Sequence, residues 1–342
     1  MLRLATVAVC CTACGLTACA QTFEFISDHP PTPASHASTI VELEGGDVLA
    51  AWFGGSREGA PDVAIWSSRR GAHAWSEPKE LVREPQIAAF NPVLFESDNH
   101  VLWLYYKFGP SPGLWSAGRL LSRDEGKTWS APEHLAAGLY GPIRTKPLVL
   151  KNGVILSGTS VESYGSWACW IERSTDHGLT WKRIGPIAAP AILASTPLKP
   201  GAPYGIIQPS LLNMGGRHIR LYARSTRQIG RICQADSFDN GETWGEVKAT
   251  ELPNPNSGID AVRFRNGAIV MIYNRSTETR SPLNLAITYD GVHWRDFCEL
   301  ESEAGEYSYP AMIEARNGDL LITYTWRRQK IRFVRFPGNK IP

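Results

Sequence analysis

The sequence predicts an all-β chain: a six-bladed β-propeller of four-stranded antiparallel blades, closed by an N-terminal strand. Three observations carry this prediction. An octet recurs as SRDEGKTW (Ser122 to Trp129), STDHGLTW (Ser174 to Trp181) and SFDNGETW (Ser237 to Trp244), with a shortened TYDGVHW (Thr288 to Trp294) and an altered SSRRGAHAW (Ser67 to Trp75). The closing tryptophans fall at 75, 129, 181, 244 and 294, a period that belongs to arrays and propellers. Asn-Gly pairs stand between apolar runs in KPLVLKNGVILSG, AVRFRNGAIVMIY and AMIEARNGDLLITY. The composition, with 31 Gly and 24 Pro in 342 residues, is that of a turn-rich fold.

Residues 1–20, MLRLATVAVCCTACGLTACA, combine a basic Arg3, an apolar run and a small-residue end. This reads as a secretory signal, so the chain divides into 1–20 and a propeller over 21–342. Ala18-Cys19-Ala20 before Gln21 fits one cleavage site, and Leu16-Thr17-Ala18-Cys19 fits a lipoprotein signal that leaves a lipid anchor on Cys19. Either implies export: periplasmic, outer-membrane or extracellular. Four of the seven cysteines lie in this segment; Cys169, Cys233 and Cys298 are too sparse for a disulfide framework and read as buried thiols.

TFEFIS (Thr22 to Ser27) is the first strand, and hairpins start near 37, 92, 146, 208, 261 and 310. Asn-Gly tolerates the positive φ of a tight turn; the first and fourth hairpins use Gly45-Gly46 and Gly215-Gly216. A third strand such as SWACWIERS follows, then the octet, then a fourth strand. In the octet the Asp accepts hydrogen bonds from its own loop, the Gly supplies an awkward dihedral and the Trp packs between blades. The sixth unit ends after its third strand, IRFVRF (Ile331 to Phe336). TFEFIS supplies what is missing and removes the open edge.

This topology sorts the loops. The octets share one face with the hairpin turns. The opposite face collects His36, Arg57, Glu58, Asp62, Asn91, Lys107, Arg144, Lys146, Glu162, Gln208, Arg224, Arg231, Asp260, Arg280, Tyr307 and Tyr309. Several convergent arginines suit a carboxylate ligand. The net charge of +2 favours neither nucleic acid nor a membrane surface. No metal-ligand spacing, phosphate loop or G-x-S-x-G appears, so no metal or cofactor is expected, and no protein partner is implied.

The octet and three further stretches, HASTIVELEGGDVLAAWFGGSREGAPDVAIW, YGIIQPSL and EYSYPAMIEARNGDLLITYTW, resemble the sialidase (neuraminidase) superfamily of Asp-box proteins. The resemblance implies arginines on the substrate carboxylate, an Asp acid/base, and a Tyr nucleophile paired with a Glu. Arg224 and Arg280 match two of the arginines, Tyr309 the nucleophile, and Arg57 and Asp62 the first-blade arginine and acid. Two positions depart: His36 stands where the family has another arginine, and Gln208 where it has the glutamate. Glu162 is the candidate substitute, leaving Asp62, Tyr309 and Glu162 as catalytic candidates. His36, Arg57, Lys107, Lys146, Gln208, Arg224, Arg231 and Arg280 are the substrate-binding candidates. The expected function is exo-glycosidic removal of a terminal acidic sugar from a glycan. A non-catalytic carbohydrate-binding propeller, or a hydrolase or lyase of uronic-acid glycans, are the alternatives.

Overall fold

The computed structural model describes residues 21–195 and 197–342; the signal and the Cys19 anchor lie outside them. The described chain is all-β, built of antiparallel four-stranded sheets. Unit one contains Ala34–Glu42, Val48–Gly55, Ala64–Arg70 and Lys79–Val82; unit two contains Ala89–Glu96, Leu102–Phe108, Ser116–Ser122 and Glu133–His134. Units three (Leu148–Val149, Ile155–Ser163, Ser166–Ser174, Lys182–Ile187) and four (Tyr204–Gly215, His218–Ser225, Arg231–Ser237, Lys248–Pro253) join into one eight-stranded sheet. The joint is a short parallel pairing of Ser166 with Tyr204 and Trp167 with Gly205. Unit five runs through Asp260–Arg263, Ile269–Asn274, Leu283–Thr288 and Arg295–Glu301. Unit six takes Tyr307–Glu314, Leu320–Trp326 and Lys330–Phe336, and its outer strand is Thr22–Phe25, paired from Thr22↔Arg335 to Phe25↔Arg332. The N-terminal strand therefore completes the last unit, as expected. No helix among the described residues is long and apolar enough to cross a membrane.

The octets fold as expected. Ser122 Oγ donates to Asp124 Oδ1 at 2.7 Å and accepts from Gly126 N at 2.8 Å. Asp124 in turn accepts from Thr128 N at 2.9 Å and Thr128 Oγ1 at 2.6 Å. Asp176 with Thr180 and Asp239 with Thr243 repeat the pattern. These hydrogen bonds, led by Thr128 and Thr180, hold Asp124 and Asp176 at a pKa of about 2. The octet tryptophans pack onto the preceding unit: Trp181 meets Tyr105 and Trp294 meets Tyr222, both edge to face. Trp75 does the same against Phe333, binding unit one to unit six.

The hairpin turns differ in detail from expectation. At Asn152-Gly153, Asn266-Gly267 and Asn317-Gly318 the positive φ belongs to the glycine alone (79°, 93° and 88°). The asparagine contributes its side-chain oxygen, which accepts from the amide two residues on, at 3.3, 3.0 and 3.0 Å. The first strands of units one and two, and those of units three to six, pack side by side, and that of unit one also packs against that of unit six. The core lies between the sheets, with Cys169, Cys233 and Cys298 buried in it.

Candidate active site

Four first strands break register at the same level, between His36 and Thr39, Phe90 and Val93, Ile207 and Ser210, and Ser308 and Ala311. Each break holds a residue in the left-handed region: Ala37 (52°), Asn91 (41°), Gln208 (57°) and Tyr309 (51°). In three of them a proline follows (Pro92, Pro209, Pro310). Proline lacks the N–H that a regular ladder would need, so it fits where pairing is interrupted. The bulge swings its side chain out of the strand's alternation. A non-glycine residue held there costs about 1–3 kcal/mol, strain that gathers at functional sites. Tyr307 and Tyr309 consequently part company: Tyr307 is wholly buried in the core, while Tyr309 stays half-buried above it.

Tyr309 is ringed by cations. The guanidinium carbons of Arg144, Arg224 and Arg280 lie 5.4, 5.6 and 5.4 Å from its ring centre. Arg224 donates to the phenol oxygen at 2.9 Å, to Gln208 Oε1 at 3.0 Å and to Asn256 Oδ1 at 3.0 and 2.8 Å. Arg280 donates to the Asn256 carbonyl at 3.3 Å and to Glu306 at 2.7 Å, so Arg224 and Arg280 converge on one residue. Arg144 is buried and donates to the backbone carbonyls of Tyr309 and, at 2.6 Å, Pro310. An ion-pair chain continues outward from Arg280 through Glu306 to Arg328 and on to Glu58 in the first unit's loop.

These neighbours set the protonation states. Burial raises the Tyr309 pKa, but the charges of Arg224 and Arg280 outweigh it and leave the phenol below its ordinary value. Burial drives the His36 pKa well below 6.5, and Arg328, Arg280, Arg144 and Arg224 push it further down. His36 is therefore a neutral ring, 4.4 Å from the Tyr309 ring, with neither nitrogen hydrogen-bonded among the described residues. Burial raises the Glu162 carboxyl above its ordinary pKa against the pull of Arg224, and Glu162 in turn acts on Tyr309. A carboxyl raised in pKa, a phenol lowered in pKa, and convergent guanidiniums can together carry out acid–base and nucleophilic chemistry on an anionic substrate.

The BNR repeat-like domain matches residues 46–322, most of the chain. The chain belongs to the BNR repeat-like family. Its fold is that of several solved structures of low identity. A Dyadobacter fermentans protein of unknown function superposes with a TM-score of 0.73 at 16% identity, covering 88% of this chain and 94% of that one. The NanB sialidase of Streptococcus pneumoniae gives 0.72 at 13%, over 94% and 71%. Trypanosoma rangeli sialidase in complex with sialic acid gives 0.67 at 15%, over 90% of this chain and 55% of that one. No curated protein sequence matches significantly.

Within this BNR repeat-like fold, hydrogen bonds, ring contacts and charge interactions link Tyr309 with Arg224, Arg280, Gln208, His36 and Glu162; the other candidates have partners of their own, stand exposed or line a separate channel. Asp62 is exposed and accepts from Ser56 N and Ser56 Oγ, both at 2.9 Å; the Ser56 side chain is the chief cause of its lowered pKa. Arg57 is exposed on the same loop. The residue of that loop nearest Tyr309's surroundings is Glu58, which pairs with Arg328 and lines a small cavity beside His36 and Phe53. Lys107 is buried, donates to Pro142 O at 2.9 Å, and is pushed down to about 7 by burial. Arg231 is exposed and donates to the Glu251 carbonyl. Lys146 lines a separate channel with Asp260 and Ser210. Asn256, Glu306 and Arg328 escape the sequence reading. Arg328 (φ 56°) follows Arg327 (φ 51°) in the tight turn after Trp326, and two adjacent arginines there read as an ordinary solvated turn.

Proposed function

We propose that the chain is a six-bladed propeller acting as an exo-glycosidase on a terminal acidic sugar, sialic acid or a related 2-keto-3-deoxy acid. Packing of the first unit on the last, and the N-terminal strand in the last sheet, support a closed ring. The observation that carries the catalytic reading is the Tyr309 phenol, held by Arg224 and lowered in pKa, within charge range of a Glu162 carboxyl raised by burial.

In this reading Arg280 and the remaining N–H of Arg224 hold the substrate carboxylate. Tyr309, its proton lost to solvent, forms a bond to the anomeric carbon as the glycosidic bond breaks. Glu162 gives its proton to the departing oxygen. Water then attacks the anomeric carbon, Glu162 takes a proton back, and Tyr309 leaves. A phenol suits an anionic sugar better than a second carboxylate would, and sialidases are the known exception to the two-carboxylate pattern. Asp62, held ionised by Ser56 on an exposed loop, is the weaker proton donor. Export, with or without an anchor at Cys19, would bring such an enzyme to extracellular or periplasmic glycans.

Gln208 favours a second reading, a carbohydrate-binding propeller without turnover, since a carboxamide cannot take the phenol's proton. The test is a panel of sialosides, 2-keto-3-deoxy glycosides and uronides. Release of a free acidic sugar by wild type, lost in Tyr309→Phe, supports the glycosidase. Binding of the same glycans without release supports the binding module.

A further inference from the structure

A channel of about 360 Å³ runs between the first strands of units three to six. Lys146, Ser210 and Asp260 line one part of it, and Asn213, Arg263 and Glu314 lie further along the strands, away from the level of Gln208 and Tyr309. Asp260 is buried and fixed: it accepts from Ser210 Oγ at 2.9 Å, Ala261 N at 3.0 Å and Met312 N at 2.9 Å. Lys146 is different. Its amine makes no hydrogen bond or ion pair with another described residue, yet it borders open volume. We propose that Lys146 is a covalent capture site for small carbonyl compounds, aldehydes or ketones that enter the channel.

Three features support this chemistry. Burial lowers the amine to about 8 despite the opposing attraction of Asp260, with Arg144 adding to the fall, so free base is present near neutral pH. The channel leaves room for an electrophile to approach. The Asp260 carboxylate offsets the positive charge of an iminium once formed. In the reaction the nitrogen lone pair attacks the carbonyl carbon and the oxygen becomes a hydroxyl. That hydroxyl takes a proton from solvent and leaves as water carrying one amine hydrogen. The other amine hydrogen stays on nitrogen, so the C=N bond forms as a protonated iminium and no oxidant or reductant is consumed. Lys107 is the internal contrast: burial lowers it too, but its amine is committed to Pro142 O and lines none of this channel.

The experiment is reductive trapping of the full chain with glyoxylate and cyanoborohydride at pH 7.5, read by peptide mass mapping. Lys146, lowered to about 8, should be carboxymethylated at least about tenfold faster than the exposed Lys127 and Lys151, while Lys107 stays unmodified. Lys146→Arg should remove the fast adduct with the melting temperature retained. Labelling of Lys146 no faster than Lys127, or a fast adduct that persists on another residue in Lys146→Arg, overturns the proposal. Neither readout involves glycan hydrolysis, so the result is independent of the function proposed for Tyr309.

Discussion

One nitrogen of Arg224 donates both to the Tyr309 phenol, at 2.9 Å, and to the Gln208 carboxamide, at 3.0 Å. The phenol is thus held by a cation where a tyrosine–carboxylate pair would place an anion. Its pKa should lie below the ordinary value of 10. Ultraviolet difference titration of wild type against Tyr309→Phe should show one tyrosine ionising early, and Arg224→Met should return that tyrosine upward. An unshifted early limb in Arg224→Met would break the link.

Gln208→Glu places a carboxylate on Arg224. Its negative charge should raise the Tyr309 pKa while offering the phenol a base. Turnover of aryl sialosides should rise, within the roughly 10²–10⁴-fold range of general-base assistance. Weaker ligand binding with no gain in turnover would instead assign Gln208 to sugar recognition.

Glu162→Gln should slow glycosides with poor leaving groups by about 10²-fold or more and spare aryl glycosides, which need little protonation. Asp62→Asn should leave that leaving-group dependence unchanged. The reverse pattern in steady-state rates would return the acid role to Asp62.

Asp124 is held at about 2 chiefly by the Thr128 hydroxyl, against an ordinary 3.8. Its contribution to stability is complete above 3.8 and lost as pH falls through about 2. Asp124→Ala should lower the melting temperature at pH 6, and the gap to wild type should narrow as pH approaches 2.

Lys107 titrates at about 7 in the fold against 10.5 ordinarily. The unfolded chain therefore binds an extra proton between those values, and wild type gains stability as pH rises through the window. Lys107→Met lacks this gain. Its stability relative to wild type should decline from pH 7 to pH 10, on the order of 1 kcal/mol per pH unit, measurable by denaturant melts.

The octets, the hairpins and the borrowed N-terminal strand were readable because each rests on local turn chemistry or on a plain count of strands. The site was less so. A regular strand alternates its side chains, and on that rule Tyr307 and Tyr309 face alike; the bulge at Tyr309-Pro310 separates them. The signal was present, since Asn91-Pro92, Gln208-Pro209 and Tyr309-Pro310 each put a proline inside an apolar strand. Arg231 and Arg224 stand at the facing ends of neighbouring strands, yet only Arg224 turns inward. That choice depends on side-chain direction, which sequence spacing leaves open. Lys146 joined the candidates by its loop, but the inner strands carry it into the channel.

The pairing of Thr22–Phe25 with Lys330–Phe336 also sets the order of events as the chain folds. Lys330 reaches the carbonyl of Asp28 across 302 positions, so this sheet joins segments far apart in the chain. Contacts of such separation form slowly, because the intervening loop must be closed first. Until then Thr22–Phe25 is an unpaired edge, open to another chain's strand. Delayed closure is therefore the stage at which the folding chain is most prone to aggregate.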